Sequence, residues 1–162
     1  MTERPIRARA RIALYAVVTL CTVFAGFALL AHILVPRCLF AGVVKREVPV
    51  PPASAGPREV VNAYIEAMLG KDEKAVRALS VPETDFDNLI LPFQDWISAS
   101  GLSIDEPYAT TDCPAGEKCQ RMMVTMDLCA VNEGSHPDGH FATGFQVRYV
   151  NDRWLVTGFG SG

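Results

Sequence analysis

The sequence predicts an α+β protein in which an N-terminal transmembrane helix precedes a small domain of two or three helices packed on an antiparallel sheet of about four strands. Three observations carry this prediction. Residues 12–35 contain no acidic or basic side chain, segments between residues 57 and 97 repeat apolar side chains at helical spacing, and residues 121–159 alternate apolar and polar side chains. Helices followed by a series of strands are typical of the α+β class, because α/β proteins interleave the two.

The apolar run Ile12–Val35 is long enough to cross a membrane as a helix. About 20 residues span a hydrocarbon core about 30 Å thick, and the only strongly polar side chain of the run is His32, near its end. A cleaved signal peptide is the alternative, but its apolar region is about 7–15 residues long and ends at a small-residue site. The candidate site Ala53-Ser54-Ala55 lies far beyond the run. We therefore predict an uncleaved anchor.

The charges that flank this run predict its orientation. Residues 1–11 carry four arginines against Glu3, and short positively charged flanks stay in the cytoplasm. Arg37, Lys45 and Arg46 on the other side reduce this asymmetry without reversing it. The prediction is a single-pass cell-membrane protein, with a cytoplasmic basic tip at 1–11, a membrane helix at 12–35, a juxtamembrane and proline-rich linker at 36–56 and an extracytoplasmic domain at 57–162.

The external part of the chain is acidic. Residues 45–162 hold ten Lys and Arg against seventeen Asp and Glu, a balance of −7. Because such a surface repels phosphate backbones, we predict no nucleic-acid partner. The membrane is the partner that the sequence specifies. Residues 39–44 remain apolar and are expected either at the headgroup level or against the domain.

The first helix of the domain has clear ends. Gly56 can cap it, Pro57 suits its first position, and Gly70 ends it. The charged side chains of this region, Glu66 and Lys71 among them, are expected to face water. The opposite face of the helix is apolar and consists of Val60, Val61, Tyr64, Ile65, Met68 and Leu69.

Two further helical segments follow. The first begins at Asp72 and extends through Leu79. The second begins at a capping-box-like run, residues 84–87, and Pro92 is expected to kink or divide it. Its apolar side chains are expected in the core rather than around a cofactor, and they are Phe86, Leu89, Ile90, Phe93, Trp96 and Ile97.

The last part of the domain has the period of strands. One strand presents Met122, Val124, Met126, Leu128 and Ala130 on one face, and the next presents Phe141, Thr143, Phe145, Val147 and Tyr149. Asn151-Asp152 forms a two-residue turn into a last strand, Arg153–Phe159. Leu102–Thr111 is a plausible earlier strand, which Pro107 keeps short or at an edge.

The cysteines are consistent with an oxidising compartment. Cys113 and Cys119 flank Pro114-Ala115-Gly116, a turn that would bring them together, so we predict a disulfide between them. Cys21 lies inside the predicted anchor. Cys38 and Cys129 pair with each other, stay free or link two chains, and the sequence leaves these three alternatives open.

Residues 133–140 raise the question of a metal site. They include Glu133, His136, Asp138 and His140 among turn-forming residues. Zinc requires three or four convergent ligands on a rigid frame, whereas a polar hairpin loop explains this composition without a metal. We predict no metal and no cofactor, and the sequence contains no nucleotide-binding or hydrolase motif.

Two parts of the domain carry a family resemblance. Residues 58–72, REVVNAYIEAMLGKD, and the closing hairpin around residues 151–156, NDRWLV, resemble the nuclear transport factor 2-like superfamily. The resemblance implies a cone-like domain, in which a curved antiparallel sheet wraps around helices and encloses a cavity. With its single anchor, the chain is also similar to small actinobacterial Mce-associated membrane proteins.

The superfamily includes ketosteroid isomerase and polyketide cyclases, so the resemblance also implies positions for a catalytic site. Tyr64 matches the tyrosine of the first helix that donates to the developing enolate oxygen. Asn88 falls at the position of the base, with Asp85 and Asp87 close by, and Phe145 falls where the second acid would be. Two of the three polar roles are therefore missing or displaced.

The function predicted from the sequence is a membrane-anchored, extracytoplasmic binding or interaction module without enzymatic activity. Its partner is another envelope protein or the same chain in a homodimer. The alternative is a small-molecule-binding or isomerase-like domain whose cavity lies near Tyr64, with Asp85 or Asp87 beside it.

Overall fold

The apolar run is helical over residues 18–27, and every side chain of that segment is exposed. The structure, a computed structural model, describes residues 18–27, 38, 41–84, 92–131 and 138–160. The chain divides into two compact units, Met1–Leu39 and Phe40–Gly162. Within the described ranges no helix combines the length and hydropathy needed to cross a bilayer. Residues 12–17 and 28–35 of the predicted anchor lie outside those ranges.

The second unit begins its regular structure with two helices, α1 (Pro57–Gly70) and α2 (Glu73–Leu79). Pro57 occupies the first turn of α1 as predicted. Proline is suited to this position because a backbone N–H there would have no acceptor within the helix. The residue in the left-handed conformation at the end of α1 is Lys71, with φ 55°. Position 70 requires glycine because the chain at Arg46 passes close to it, and a Cβ there would lie 2.8 Å from Cγ of Arg46.

The segment after residue 91 differs from the prediction. Residues 92–95 are helical, but Trp96 and Ile97 already belong to strand β1 (Trp96–Ile104), so the expectation that they continue a helix was wrong. Trp96 pairs with Ala130 at the end of strand β3 (Cys119–Ala130), and its side chain is fully buried. The prediction that this aromatic residue is core is confirmed. Tertiary pairing overrides the local helical spacing here.

The domain has the predicted α+β architecture, with a curved antiparallel sheet of five strands. The strands after β1 are β2 (Tyr108–Ala109), β3 (Cys119–Ala130), β4 (Gly139–Val150) and β5 (Arg153–Gly160). The strand order is β1–β3–β4–β5, and the two-residue β2 also pairs with β3. Pro107 separates β1 from β2, because proline cannot donate to a ladder.

The sheet buries one face against the helices. Met122, Val124 and Met126 of β3 lie opposite Phe145, Thr143 and Phe141 of β4, as the alternation predicts. This inner face meets the apolar face of α1, and together they form the core, which includes Val61, Tyr64, Ile65, Met68, Leu79, Trp96, Met122, Leu128, Phe145 and Val156.

The hairpin between β4 and β5 has the predicted two-residue turn. Asn151 and Asp152 have φ values of 50° and 61°, as a type I′ turn requires. Asn and Asp tolerate this left-handed conformation better than most residues. The turn fixes the register that places Val147 opposite Val156 on the inner face.

Residues 41–56, which we call the strap, contact the domain. Val48 is 7% exposed and Ala55 is 6% exposed, and both belong to the core. The backbone N–H of Arg46 donates to the carbonyl oxygen of Gly70 at 2.9 Å. The sequence places these residues in a linker because of their prolines, whereas the side chains of Val48 and Ala55 and the backbone N–H of Arg46 find partners on the domain.

The expected disulfide between Cys113 and Cys119 is present, with the two Cα atoms 5.7 Å apart. Cys38 and Cys129 are also disulfide-bonded, so the alternative that they stay free was wrong. Among the described residues Cys21 is the free cysteine, and it is exposed.

Candidate functional site

Tyr64 lies at the centre of α1, on the face that meets the sheet. The helical spacing that brings Val60, Val61 and Met68 inward also brings this ring inward, and the residue is completely buried. Its ring packs edge-on against Phe145 of β4, with centroids 6.1 Å apart. The residue that the family resemblance places at the position of a second acid is thus a hydrocarbon ring in contact with Tyr64.

Further aromatic rings extend from this contact along the inner face of the sheet. Phe145 stacks on Phe159 of β5 with centroids 5.0 Å apart. Trp96 lies 5.4 Å from Phe159 and 5.5 Å from Phe141. Edge-on and offset contacts at such distances are favourable beyond the area that they bury. These rings occupy the concave side of the sheet, which in a ligand-binding cone would face the cavity.

The hydroxyl of Tyr64 is the unusual polar group of this cluster. It is buried and makes no hydrogen bond of standard geometry to the described residues. Burial raises the pKa of Tyr64 to about 12, and the polar interaction with the nearby Ser80 hydroxyl lowers it only in part. Ser80 donates its own proton to the carbonyl oxygen of Val76 at 2.8 Å. The Tyr64 phenol therefore keeps its proton at neutral pH and can donate it to a hydrogen bond, but it cannot serve as a base.

The two carboxylates expected beside Tyr64 belong to a segment that the structure does not describe. Asp85, Asp87 and Asn88 lie in residues 85–91, outside the described residues. The convergence of Tyr64 with Asp85 or Asp87 therefore stays a prediction.

Lys71 makes a structural contact that the sequence did not predict. Its ammonium group donates to the carbonyl oxygens of Phe93, Gln94 and Trp96, and it lies over the Phe93 ring, so the expectation that Lys71 faces water was wrong. Burial lowers the pKa of Lys71, while the nearby Asp95 carboxylate acts in the opposite direction. No local sequence signal predicts this contact, because the carbonyl groups that Lys71 binds lie 22–25 residues later in the chain.

Two clefts open on the surface of the domain. The larger, about 550 Å³, lies between the start of α1 and β1 and is lined by Gly56, Arg58, Glu59, Asn62, Leu102, Ser103 and Ile104. The smaller, about 260 Å³, lies between the strap and the end of α1 and is lined by Lys45, Arg46, Glu47, Gly70, Lys71, Asp72 and Glu73. Neither cleft is lined by Tyr64.

The loop considered for a metal site is described only at its end. Residues 132–137, which include Glu133 and His136, lie outside the described residues. Asp138 accepts a hydrogen bond from the backbone N–H of Ala130 at 2.8 Å, so it closes the β3–β4 connection. His140 lies 3.9 Å from Asp127, and both side chains are exposed. The parts of the domain that the structure describes contain no group of three metal-ligating side chains.

The disulfide-bonded loop 110–118 is fixed to the outer part of β4. Gln146 donates to the carbonyl oxygen of Asp112, and Arg148 lies 3.2 Å from the Glu117 carboxylate and 2.7 Å from that of Glu83. The Arg148 side chain is only 14% exposed. Because these contacts hold the loop from several sides, we interpret it as a structural element rather than a site.

Comparisons with known proteins add no assignment. No family model, no curated protein and no solved structure matches this chain.

Proposed function

We propose that the protein is a single-pass, membrane-anchored module whose extracytoplasmic domain binds another envelope protein or a second copy of the chain. The observation that carries the proposal is the segment 18–27. It is helical, has no charged residue and exposes its large apolar side chains, with Phe24 70% and Phe27 76% exposed. A helix with apolar residues on all sides is stable only where lipid or protein covers it.

The packing of the inner face and the position of the clefts support a binding role for the domain. The aromatic rings around Phe145 and Phe159 fill the inner face of the sheet, and the two clefts that described residues line are open at the surface. A domain that transforms a small substrate would normally enclose it in an apolar pocket with convergent polar groups. We also propose that the domain is nuclear transport factor 2-like, because a curved sheet against α1 and α2 is what that resemblance implies.

Membrane anchoring is tested by placing charges in the described helix. The double variant Val23→Arg/Phe24→Arg should move the full chain from the carbonate-resistant membrane fraction to the soluble fraction, because each arginine near the centre of a span costs about 2.5–3.5 kcal/mol. Val23→Leu/Phe24→Leu is the matched control and should remain in the membrane. Protease added to intact cells should digest the domain and spare residues 1–11. A soluble wild-type chain would contradict the proposal.

Binding is tested by proximity labelling from the C-terminus of the full-length chain, with the Val23→Arg/Phe24→Arg variant as the control. We expect a small set of envelope proteins, or the chain itself, to be labelled only when the domain is held at the membrane. Labelling that is the same for both chains would contradict a specific envelope partner.

A second candidate function rests on the unpartnered hydroxyl of Tyr64. A buried phenol that keeps its proton could donate to the carbonyl oxygen of a small ligand, as in isomerase-like sites. The test is exchange of the α-protons of cyclohexanone with deuterated water, followed by NMR. Exchange that the wild-type chain catalyses and Tyr64→Phe does not would favour this function over the binding module.

A further inference from the structure

The strap begins with apolar side chains that do not pack on the domain. Val43 is 45% exposed and Val44 is 70% exposed, whereas Val48, four residues later, is 7% exposed. The first backbone contact of the strap with the helices is the bond from Arg46 to Gly70. Residues 41–44 thus precede the docked part of the strap, and their apolar surface is left for another partner.

Two cations follow these valines directly. Lys45 and Arg46 are exposed, and residues 41–46 contain no carboxylate. Arg46 lies 3.8 Å from Glu66, but both side chains are about half exposed. An exposed ion pair of this length is weak, so the guanidinium of Arg46 is free to approach another anion.

We propose that residues 41–46, the interfacial segment, lie in the headgroup layer of the membrane that holds the anchor. Val43 and Val44 contact the upper acyl chains, and Lys45 and Arg46 contact the phosphates of anionic lipids. Apolar side chains beside lysine and arginine are the chemistry of a lipid interface, where each cation adds attraction to anionic headgroups. The inference rests on the proposed anchoring function.

The length of the chain permits this placement. Val43 is eight residues beyond Val35, the end of the predicted span, and eight extended residues reach at most about 28 Å. The length of this part of the chain therefore permits Val43 to lie at the membrane surface. A lipid surface also accounts for the order of the side chains, because the apolar pair comes nearer the anchor and the cationic pair nearer the domain.

The placement also orients the domain. The strap is bonded to Gly70 through Arg46 and to Asp72 through Val48, at 2.9 Å and 2.8 Å. The end of α1 and the beginning of α2 would therefore face the membrane, and the smaller cleft with them. The larger cleft, at the opposite end of α1, would face away and remain open to a protein partner.

The experiment measures the depth of spin labels in the full-length chain. With Cys21→Ser as the background, single cysteines replace Val44, Glu47 and Phe24, and each carries a nitroxide. The chain is reconstituted in mixed vesicles of phosphatidylcholine and phosphatidylglycerol. Power saturation then gives the ratio of oxygen to nickel-chelate accessibility, which is high in lipid and low in water.

We expect the ratio at Val44→Cys to be several-fold higher than at the matched control Glu47→Cys, and to fall when phosphatidylglycerol is omitted. Equal ratios at these two positions, with a lipid-like ratio at Phe24→Cys, would overturn the inference and leave the anchor intact. A water-like ratio at Phe24→Cys would instead contradict the anchor, and the interfacial segment with it. A Val44→Cys ratio that does not depend on phosphatidylglycerol would refute the contact with anionic lipid.

Discussion

The carboxylate of Asp72 joins Val48 of the strap to the first turn of α2. Oδ2 accepts the backbone N–H of Val48 at 2.8 Å, and Oδ1 accepts the backbone N–H of Ala75 at 3.0 Å. One side chain therefore caps a helix and holds a segment that lies 24 residues earlier in the chain. Because both bonds are charge-assisted, the half-buried Asp72 connects the strap to the domain more firmly than a neutral acceptor would.

The first prediction concerns the removal of this carboxylate. Asp72→Ala should lower the free energy of unfolding by about 1–2 kcal/mol, since it removes an N-cap and leaves the N–H of Val48 without its acceptor. Asp72→Asn keeps one acceptor oxygen and should lose less. Urea unfolding of the full chain in detergent, followed by tryptophan fluorescence, measures the change. Asp105→Ala, an exposed aspartate outside any cap, serves as control, and equal losses in the two alanine variants would contradict the assigned role.

A second prediction is the pH dependence of the same contact. The N–H groups of Val48 and Ala75 hold the pKa of Asp72 below its ordinary value of 3.8. A lowered pKa in the folded state stabilises the protein above the unfolded-state pKa, and this contribution is lost as the pH falls through the folded-state value. The stability difference between the wild type and Asp72→Asn should therefore be constant near neutral pH and shrink below about pH 4. A difference that grows on acidification would contradict this assignment.

The third prediction concerns Lys71. Its ammonium satisfies carbonyl oxygens of Phe93, Gln94 and Trp96 where the helical residues 92–95 end and β1 begins. Lys71→Met keeps the length of the side chain but cannot donate, so it should lower the free energy of unfolding by about 2 kcal/mol. Lys74→Met, on the exposed side of α2, is the matched control and should change little. Proteolysis should also become faster near residues 92–96 in Lys71→Met alone.

The parts of the fold that the sequence predicted depend on near neighbours. Pro57, Gly70 and the Asn151-Asp152 turn act within a few residues, so the ends of α1 and the closing hairpin could be predicted correctly. The start of β1 could not, because Trp96 enters the sheet by pairing with Ala130. Docking of the strap also escaped prediction, since Val48 needs the distant Asp72.

The candidate site was predictable to a similar extent. Helical spacing alone places Tyr64 on the buried face of α1. The stacking of Phe145 on Phe159 depends on the pairing of β4 with β5. The surroundings of the Tyr64 hydroxyl depend on how α1 packs against that sheet. No local pattern encodes a filled concave face, so the sequence favoured a core position for Tyr64 but did not exclude a cavity there.

The fourth prediction concerns the disulfide that closes residues 113–119. Cys113→Ser/Cys119→Ser should lower the free energy of unfolding by about 2 kcal/mol, because the crosslink restricts a short loop of the unfolded chain. Burial of Cys119 adds to the loss of stability, since a serine hydroxyl at this position would be removed from water. Reduction of a Cys38→Ser/Cys129→Ser variant, which lacks the second disulfide, gives the matched comparison. A variant as stable as the oxidised wild type would show that Gln146 and Arg148 hold the loop without the crosslink.

The fifth prediction separates a core tyrosine from a ligand-binding one. Tyr64→Phe should raise the free energy of unfolding by about 1 kcal/mol, because a buried hydroxyl without a hydrogen-bond partner costs stability and phenylalanine keeps the ring contact with Phe145. Tyr149→Phe is the control, since Tyr149 is 37% exposed and its hydroxyl loses only solvent. Urea unfolding of both variants measures the effect. A destabilised Tyr64→Phe would mean that the hydroxyl has a partner in solution, and the nearby Ser80 hydroxyl would be the first place to seek it.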